Sequence, residues 1–294
     1  MKKSKKFIVR YIADFLKKHL RNSAYSFFVF LRTVRPFKKK ISIKKNFLKY
    51  SDNLPKINNH EFKITSQNNE DGIIEYIYKI IPNKKYFVEL GFSYYECNSL
   101  NLIKNNWSGR LIDLNIDEVL AIKGNLSFYF PKSKIDVINS KITKNNINDL
   151  VFSKETETDR DIDFFSIDID GNDYWVLKSM NLTKINVICC EYNHWLGPDS
   201  KLVMKYDPDF NFIDNGIYGA SLSAFTKMLK EKGFSLVAVD SSGTNAFFVN
   251  NIFAKNFEVL CPVKNFISVG RFYSDDKKKK IFKNVEQSNL FTEV

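Results

Sequence analysis

The sequence predicts an α/β fold: a doubly wound, seven-stranded sheet, mostly parallel and closed by an antiparallel terminal hairpin. Three observations predict it. From Tyr86 onward, short apolar runs alternate with helical patterns, as repeated βα units do. The last two runs, Ser235–Val239 and Asn245–Val249, are separated only by a turn containing Ser241-Ser242-Gly243, which suits an antiparallel edge pair. The stretch Tyr86-Phe87-Val88-Glu89-Leu90-Gly91 ends a strand in an acid and a glycine, then opens through a polar turn into a helical pattern. Open α/β sheets bind ligands just outside the carboxyl ends of their strands. A glycine there lets the backbone pass close to a ligand, and the first N–H groups of the helix can face it.

The elements follow in order. Asn68 or Asn69 can cap a helix whose apolar face is Ile73, Ile74, Ile77 and Ile81, with Glu70 and Asp71 complementing its dipole. Strands are expected at Tyr86–Leu90, Arg110–Leu114, Lys134–Asn139, Asp163–Ile169 and Asn186–Tyr192 before the hairpin. Helices fall near Ser99–Asn105, Ile116–Lys123, Ile147–Phe152, Tyr174–Met180 and Ser221–Lys232. Ser153–Asp161 reads as a charged surface loop, and the polar end from Lys277 onward as a fraying tail. Four regions result: a basic helical N-terminal arm over 1–50, a linker over 51–63, the main domain over 64–254 and a C-terminal extension over 255–294.

Charge is unevenly placed. Residues 1–50 hold 16 of the 45 Lys and Arg against one acid, Asp14, so the remaining chain is close to neutral. A near-neutral body argues against a nucleic-acid groove. The arm reads instead as an interfacial segment on anionic lipid, a docking arm for a partner, or a helical cap with a solvated basic face. No apolar run approaches the ~18 residues of a membrane-spanning helix, and no secretory signal is evident. Four cysteines without a CxxC spacing support neither a zinc site nor a redox motif, and suit a reducing, cytoplasmic location. Cys189 and Cys190 are expected on opposite faces of one strand.

The residues able to do chemistry gather at predicted strand ends. Asp168 and Asp170 are two apart and expected on one side, an unfavourable pair unless something compensates the charge. Asp173 caps the next helix. Glu191 and Asn193 repeat the spacing one strand on, and such oxygens suit a hard divalent cation or an amine-bearing ligand. His194 is a candidate base, because imidazole titrates near neutrality. Asp113 lies where acids accept hydrogen bonds from ribose hydroxyls. The G-x-G-x-x-G of dinucleotide sites is missing, since Gly91 stands alone. NAD and FAD are therefore disfavoured, and a nucleoside without phosphates, S-adenosylmethionine, fits better.

With its strands in this order the chain resembles the class I S-adenosylmethionine-dependent methyltransferases, which are Rossmann-like. The resemblance rests on Val88-Glu89-Leu90-Gly91, Asp113, the acidic end of the fourth strand, and the hairpin Gly233–Val249. Ser66-Gln67-Asn68-Asn69-Glu70-Asp71-Gly72, Ile167–Asp173, Glu191-Tyr192-Asn193 and Gly219-Ala220-Ser221-Leu222 are similar more narrowly to FkbM-type and related bacterial methyltransferases. Several of those are encoded with polysaccharide or natural-product pathways. The resemblance spans about residues 64–250. It implies that Glu89, Gly91 and Asp113 contact the cofactor, with Asp168 near its methionine end. Asp170, His194 and Glu191 become the catalytic candidates and Asn193 a substrate contact. A divalent cation at Asp168, Asp170 and Glu191 would parallel metal-assisted O-methyltransferases, but no metal ligand is assigned. Ser93 and Tyr95 replace the family's usual second and third glycines.

The implied activity is O-methylation of a sugar or other small hydroxylated acceptor. A competing reading is an idle methyltransferase-like module, tethered by residues 1–50 to the inner face of a membrane or to a glycosyltransferase. An RNA methyltransferase that clamps with the arm is a third.

Overall fold

The computed structural model describes residues 39–40, 55–152, 161–268 and 273–294. The expectations for nearly all of the basic arm, for linker residues 51–54 and for the loop after Phe152 fall outside the described residues. Seven strands form the central sheet: β1 Tyr86–Leu90, β2 Ser108–Asp113, β3 Ile135–Asn139, β4 Ile162–Ile167, β5 Ile185–Glu191, β6 Phe234–Val239 and β7 Asn245–Asn250. Their spatial order is β3-β2-β1-β4-β5-β7-β6. β1 to β5 run parallel, while β7 inserts antiparallel between β5 and β6. The predicted Rossmann-like α/β fold with its antiparallel hairpin is what the chain adopts. Strand order reverses between β1 and β4, so the crevice of an open α/β sheet lies at their carboxyl ends.

Alternation along the strands builds two cores. Phe87, Phe164, Val187, Cys189 and Phe247 pack on one face, against α1 (Glu70–Ile80), α2 (Leu100–Lys104) and α3 (Ile116–Tyr129). Val88, Phe165, Ile188, Cys190 and Phe248 pack on the other, against α4 (Ile147–Phe152), α5 (Asp173–Ser179) and α6 (Leu222–Glu231). Successive side chains of a strand point to opposite faces, which is why Cys189 and Cys190 part company as expected. At the opposite edge of the sheet, the buried Asp163 carboxylate accepts the N–H groups of Lys84 at 2.8 Å and Tyr86 at 3.1 Å and the Asn186 amide at 3.1 Å. One side chain thus pins the starts of β1, β4 and β5.

Local details differ from the sequence expectations for physical reasons. Asn69 takes the N-cap position of α1 without a side-chain capping bond, its amide donating to Glu61 instead. The acids that follow it do more than complement the dipole: Glu70 accepts the Asn68 N–H, and Asp71 accepts those of Ile64, Thr65 and Ser66. α3 continues past Lys123 to Tyr129, because Gly124 faces open space and the turn after it buries Asn125 and Leu126. Residues 55–63 are packed on the domain: Ile57, Asn58 and Glu61 are buried, and Phe62–Lys63 pairs with Lys39–Lys40.

The expected fraying tail is the clearest correction. A short helix, α7 (Asn251–Ala254), leads on to α8, Asp275–Gln287, after which Phe291–Glu293 pairs antiparallel with Leu202–Met204. Polar composition hid one apolar stripe, in which Ile281 is 2% exposed and packs with Trp195 and Tyr218. Among the described residues, no helix is long and apolar enough to cross a membrane. Ile281→Ala should therefore lower stability in urea unfolding by about 2–5 kcal/mol, the usual range for truncating a buried isoleucine. A dangling tail would show no change.

Candidate active site

The crevice begins at Gly91. Its φ is +71°, and a Cβ there would lie 1.8 Å from the backbone carbonyl oxygen of Asp168. The glycine is thus required by the chain's own backbone, where the end of β1 presses on the end of β4. Gly91 N donates to the Ile112 carbonyl at 2.9 Å, and Asp168 N to that of Leu90 at 2.9 Å. Leu90 is in register with Ile112 and Ile167, so Asp113 and Asp168 flank Gly91 on either side.

The loop after Gly91 is fastened by carboxylates. Glu89 is buried and accepts the N–H groups of Asn98 at 2.9 Å and Ser99 at 3.0 Å, as well as the Ser99 hydroxyl. Burial pushes its carboxyl up, against those hydrogen bonds. Glu89 therefore shapes the loop, and both its oxygens are engaged. Asp113 accepts from Phe92 N at 3.0 Å and Asn115 N at 2.6 Å, and stays partly open at the end of β2. An ionised carboxylate has about four acceptor sites, so Asp113 keeps capacity for further donors. Glu118, which sequence reading passed over, accepts from Tyr94 N at 2.7 Å and Ser93 Oγ at 3.2 Å. Its only sequence signal was its place in the first turn of α3. Phe92 and Tyr94 pack into the core beside α1 to α3.

Across the crevice, β4 ends at Ile167 rather than Ile169, so a turn rather than a strand carries Asp168 and Asp170. Asp173 ties that turn, accepting Ile169 N at 2.8 Å and Gly171 N at 2.9 Å. It braces the preceding loop, and Asn172 occupies the N-cap position of α5. Asp170 adopts a positive φ of 61°, unusual for a residue with a side chain. Asp168, Asp170 and Glu191 each present an oxygen within 4.8 Å of the others. Burial first, then the charges of Asp173 and Asp113, raises the Asp170 carboxyl to about 6. Burial and the neighbouring acids push Asp168 and Glu191 well above the ordinary carboxylate range. Asp168 Oδ1 is closed off from solvent and has no hydrogen-bond partner.

Two expected site residues turn away from the crevice. Asn193 is fully buried: it accepts from Trp195 N at 2.9 Å and donates to the carbonyls of Gly216 at 2.9 Å and Tyr218 at 2.8 Å. The expected shared face with Glu191 is lost because β5 stops at Glu191 and a 3-10 turn, His194–Leu196, follows. Asn193 thus organises a loop through its side-chain hydrogen bonds. His194 is 5% exposed, lies 3.1 Å through Nδ1 from Ser268 Oγ, and is lowered to about 3 by burial. An imidazole so weakly basic is a poor proton acceptor at neutral pH, which corrects the expectation of a base there.

A cavity of about 400 Å³ lies beyond this loop, lined by Trp195, Leu202, Phe282, Glu286, Ser288 and Phe291 among others. Tyr273 packs on Trp195, and the Tyr218 phenol is raised first by burial and then by the Glu191 charge.

Residues 34–236 match the family described as the methyltransferase FkbM domain. The chain belongs to that family. With its observed sheet order, this places it among the class I S-adenosylmethionine-dependent methyltransferases. No curated protein matches the chain. Among solved structures, the FkbM chain is similar to the N-terminal domain of EvdMO1, determined with S-adenosylhomocysteine and D-fucose, at 11% identity and a TM-score of 0.42. That match covers 70% of this chain and 92% of the other. TrmK of M. capricolum, in complex with S-adenosylhomocysteine, matches at 17% identity and a TM-score of 0.33, covering 60% and 67%. Magnesium protoporphyrin IX methyltransferase of Synechocystis PCC 6803, with bound S-adenosylmethionine, matches at 9% and 0.41, covering 62% and 77%. Likenesses this distant carry no conclusion about cofactor or acceptor. The cavity walls from Phe282 to Phe291 lie beyond the FkbM match.

Asn193→Ala should cost about 1–3 kcal/mol for each backbone group left unpaired in the interior, measured by thermal unfolding. A substrate contact would instead leave stability unchanged.

Proposed function

We propose that the chain transfers a methyl group from S-adenosylmethionine to a hydroxyl of a saccharide or other small hydroxylated acceptor. The observation that carries this reading is the convergence of Asp113, Asp168, Asp170 and Glu191 on one rim, at the switch point between β1 and β4. When bound, S-adenosylmethionine supplies an electrophilic sulfonium methyl. Asp113, still able to accept hydrogen bonds, suits ribose hydroxyls. Glu89 and Glu118 hold the neighbouring loop in one conformation. A methyl transfer needs the acceptor oxygen in line with the S–C bond, so the rim's work is positioning. On transfer the acceptor hydroxyl would take the methyl that S-adenosylmethionine supplies, and its proton would pass to Asp170. Asp170 suits that transfer because it is exposed and titrates at about 6. The aromatic-walled cavity beside Trp195 is the acceptor side in this reading, of the concave kind that small ligands occupy.

One observation favours the idle-module reading. The Phe92, Tyr94, Asn98 and Ser99 N–H groups, which could face a ligand, are all taken by the chain's own carboxylates.

Calorimetric titration of S-adenosylhomocysteine separates the two. Binding that weakens ten- to hundredfold in Asp113→Ala supports the proposal, the range expected for hydrogen bonds to a charged group. No binding by the intact chain supports the idle module. Turnover should rise with pH through about 6 as Asp170 loses its proton. Asp170→Asn should lower it by about 10²-fold or more and flatten that limb. The same substitution should raise thermal stability at neutral pH. A carboxyl raised in the folded state favours folding at low pH, and that benefit is lost as pH climbs through about 6.

A further inference from the structure

We propose that the exposed apolar row on α3 is the contact surface between two copies of this chain, packed antiparallel about a two-fold axis. The inference stands apart from the methyltransferase reading.

The first observation is the row itself. Ile116, Leu120 and Phe128 fall at multiples of four along α3 and are 50%, 60% and 78% exposed. Leu114, just before the helix, is 64% exposed and extends the row at its N-terminal end. Residues four apart on a helix are neighbours on one face. Single exposed apolar side chains are ordinary, whereas a continuous row of them marks an interaction surface. α3 leads into β3, the last strand on that side of the sheet, so no further strand of the sheet lies beyond it to cover the row.

The second observation is the gap in the row. Gly124 holds the position between Leu120 and Phe128. Its φ is not in the left-handed region, and nothing lies within 4 Å of where a Cβ would stand. Glycine is among the least favourable residues inside a helix, and no contact among the described residues calls for it. It leaves a hollow between two large side chains.

These features are self-complementary, as a two-fold contact requires. The midpoint of the row falls between Leu120 and Gly124. A copy running the opposite way therefore sets Leu120 of each over the Gly124 hollow of the other, with Ile116 meeting Phe128. Rows at a spacing of four pack in this manner at a crossing angle of about −50°. Charge agrees with that direction. Asp117 and Glu118 lie in the first turn of α3, while the exposed Lys132 and Lys134 follow its last turn. Antiparallel packing brings the acidic end of one copy to the basic end of the other, and a parallel copy would set like charges together. A contact of one helix from each copy belongs with the small interfaces, below about 1,200 Å², which associate weakly. The dimer should therefore depend on concentration.

Sedimentation velocity on the full chain, from about 1 to 200 µM, spans the range of such weak contacts. The weight-average sedimentation coefficient should climb from that of a monomer toward that of a dimer. Leu120→Glu places a charge in the contact, and Gly124→Leu fills the hollow. Each should weaken association about tenfold or more. Both positions face solvent in a single copy, so each variant should melt at the parent's temperature or above it in dilute solution. A parent that stays monomeric overturns the proposal, as does a dimer that both variants leave intact. Two other occupants of the row have their own signatures. A lower melting temperature for monomeric Leu120→Glu assigns the row to the chain's own N-terminal segment. Pelleting of a monomeric parent with phosphatidylglycerol vesicles, lost in Leu120→Glu, assigns it to a lipid surface. Either result overturns the second copy.

Discussion

The site depends on one backbone contact, the close approach of Gly91 to the carbonyl of Asp168. β1 is hydrogen-bonded through Leu90 and Gly91 to β4 and β2 together, and the positive φ turns the chain out of the sheet directly afterwards. No Cβ fits in that gap. Because β1 ends there, Asp113 and Asp168 stand one residue beyond a common register line. The turn after β4 then brings Asp170 into reach of the Asp113 charge.

The acids of this chain fall into two physical kinds. Those inside the framework accept hydrogens from the chain's own backbone. Glu89 and Glu118 clamp the loop after β1, Asp71 gathers three N–H groups before α1, and Glu61 receives Ser241 from the terminal hairpin. Hydrogen bonds to the charged form offset the cost of taking each from water. At the rim, burial and then the repulsion of neighbouring acids push the carboxyls of Asp168 and Glu191 well above the ordinary range and that of Asp170 to about 6. The convergence of like-charged groups there marks the rim as a place for a ligand.

Most of the architecture was legible in the sequence, because period-two apolar runs and helical faces read directly as buried strands and amphipathic helices. The hairpin was legible from the short turn at Gly243. The C-terminal helix was not, since Ile281, Phe282 and Val285 are few among many lysines. At the site, Asp113, Asp168, Asp170 and Glu191 were legible by their positions at strand ends. Asn193 and His194 misled because a spacing of two implies a shared face only while the strand lasts, and β5 ends at Glu191. Glu118 and Ser268 were hidden because a partner in space leaves no mark in local sequence.

The proposed function requires these strand ends to form one nucleoside-shaped rim. A crystal structure of the chain grown with S-adenosylhomocysteine tests it most directly. Ribose hydroxyls are expected on the Asp113 carboxylate, with the sulfur facing the side occupied by Asp168 and Asp170. Ligand density elsewhere, or a rim that holds only water at saturating ligand, would contradict it.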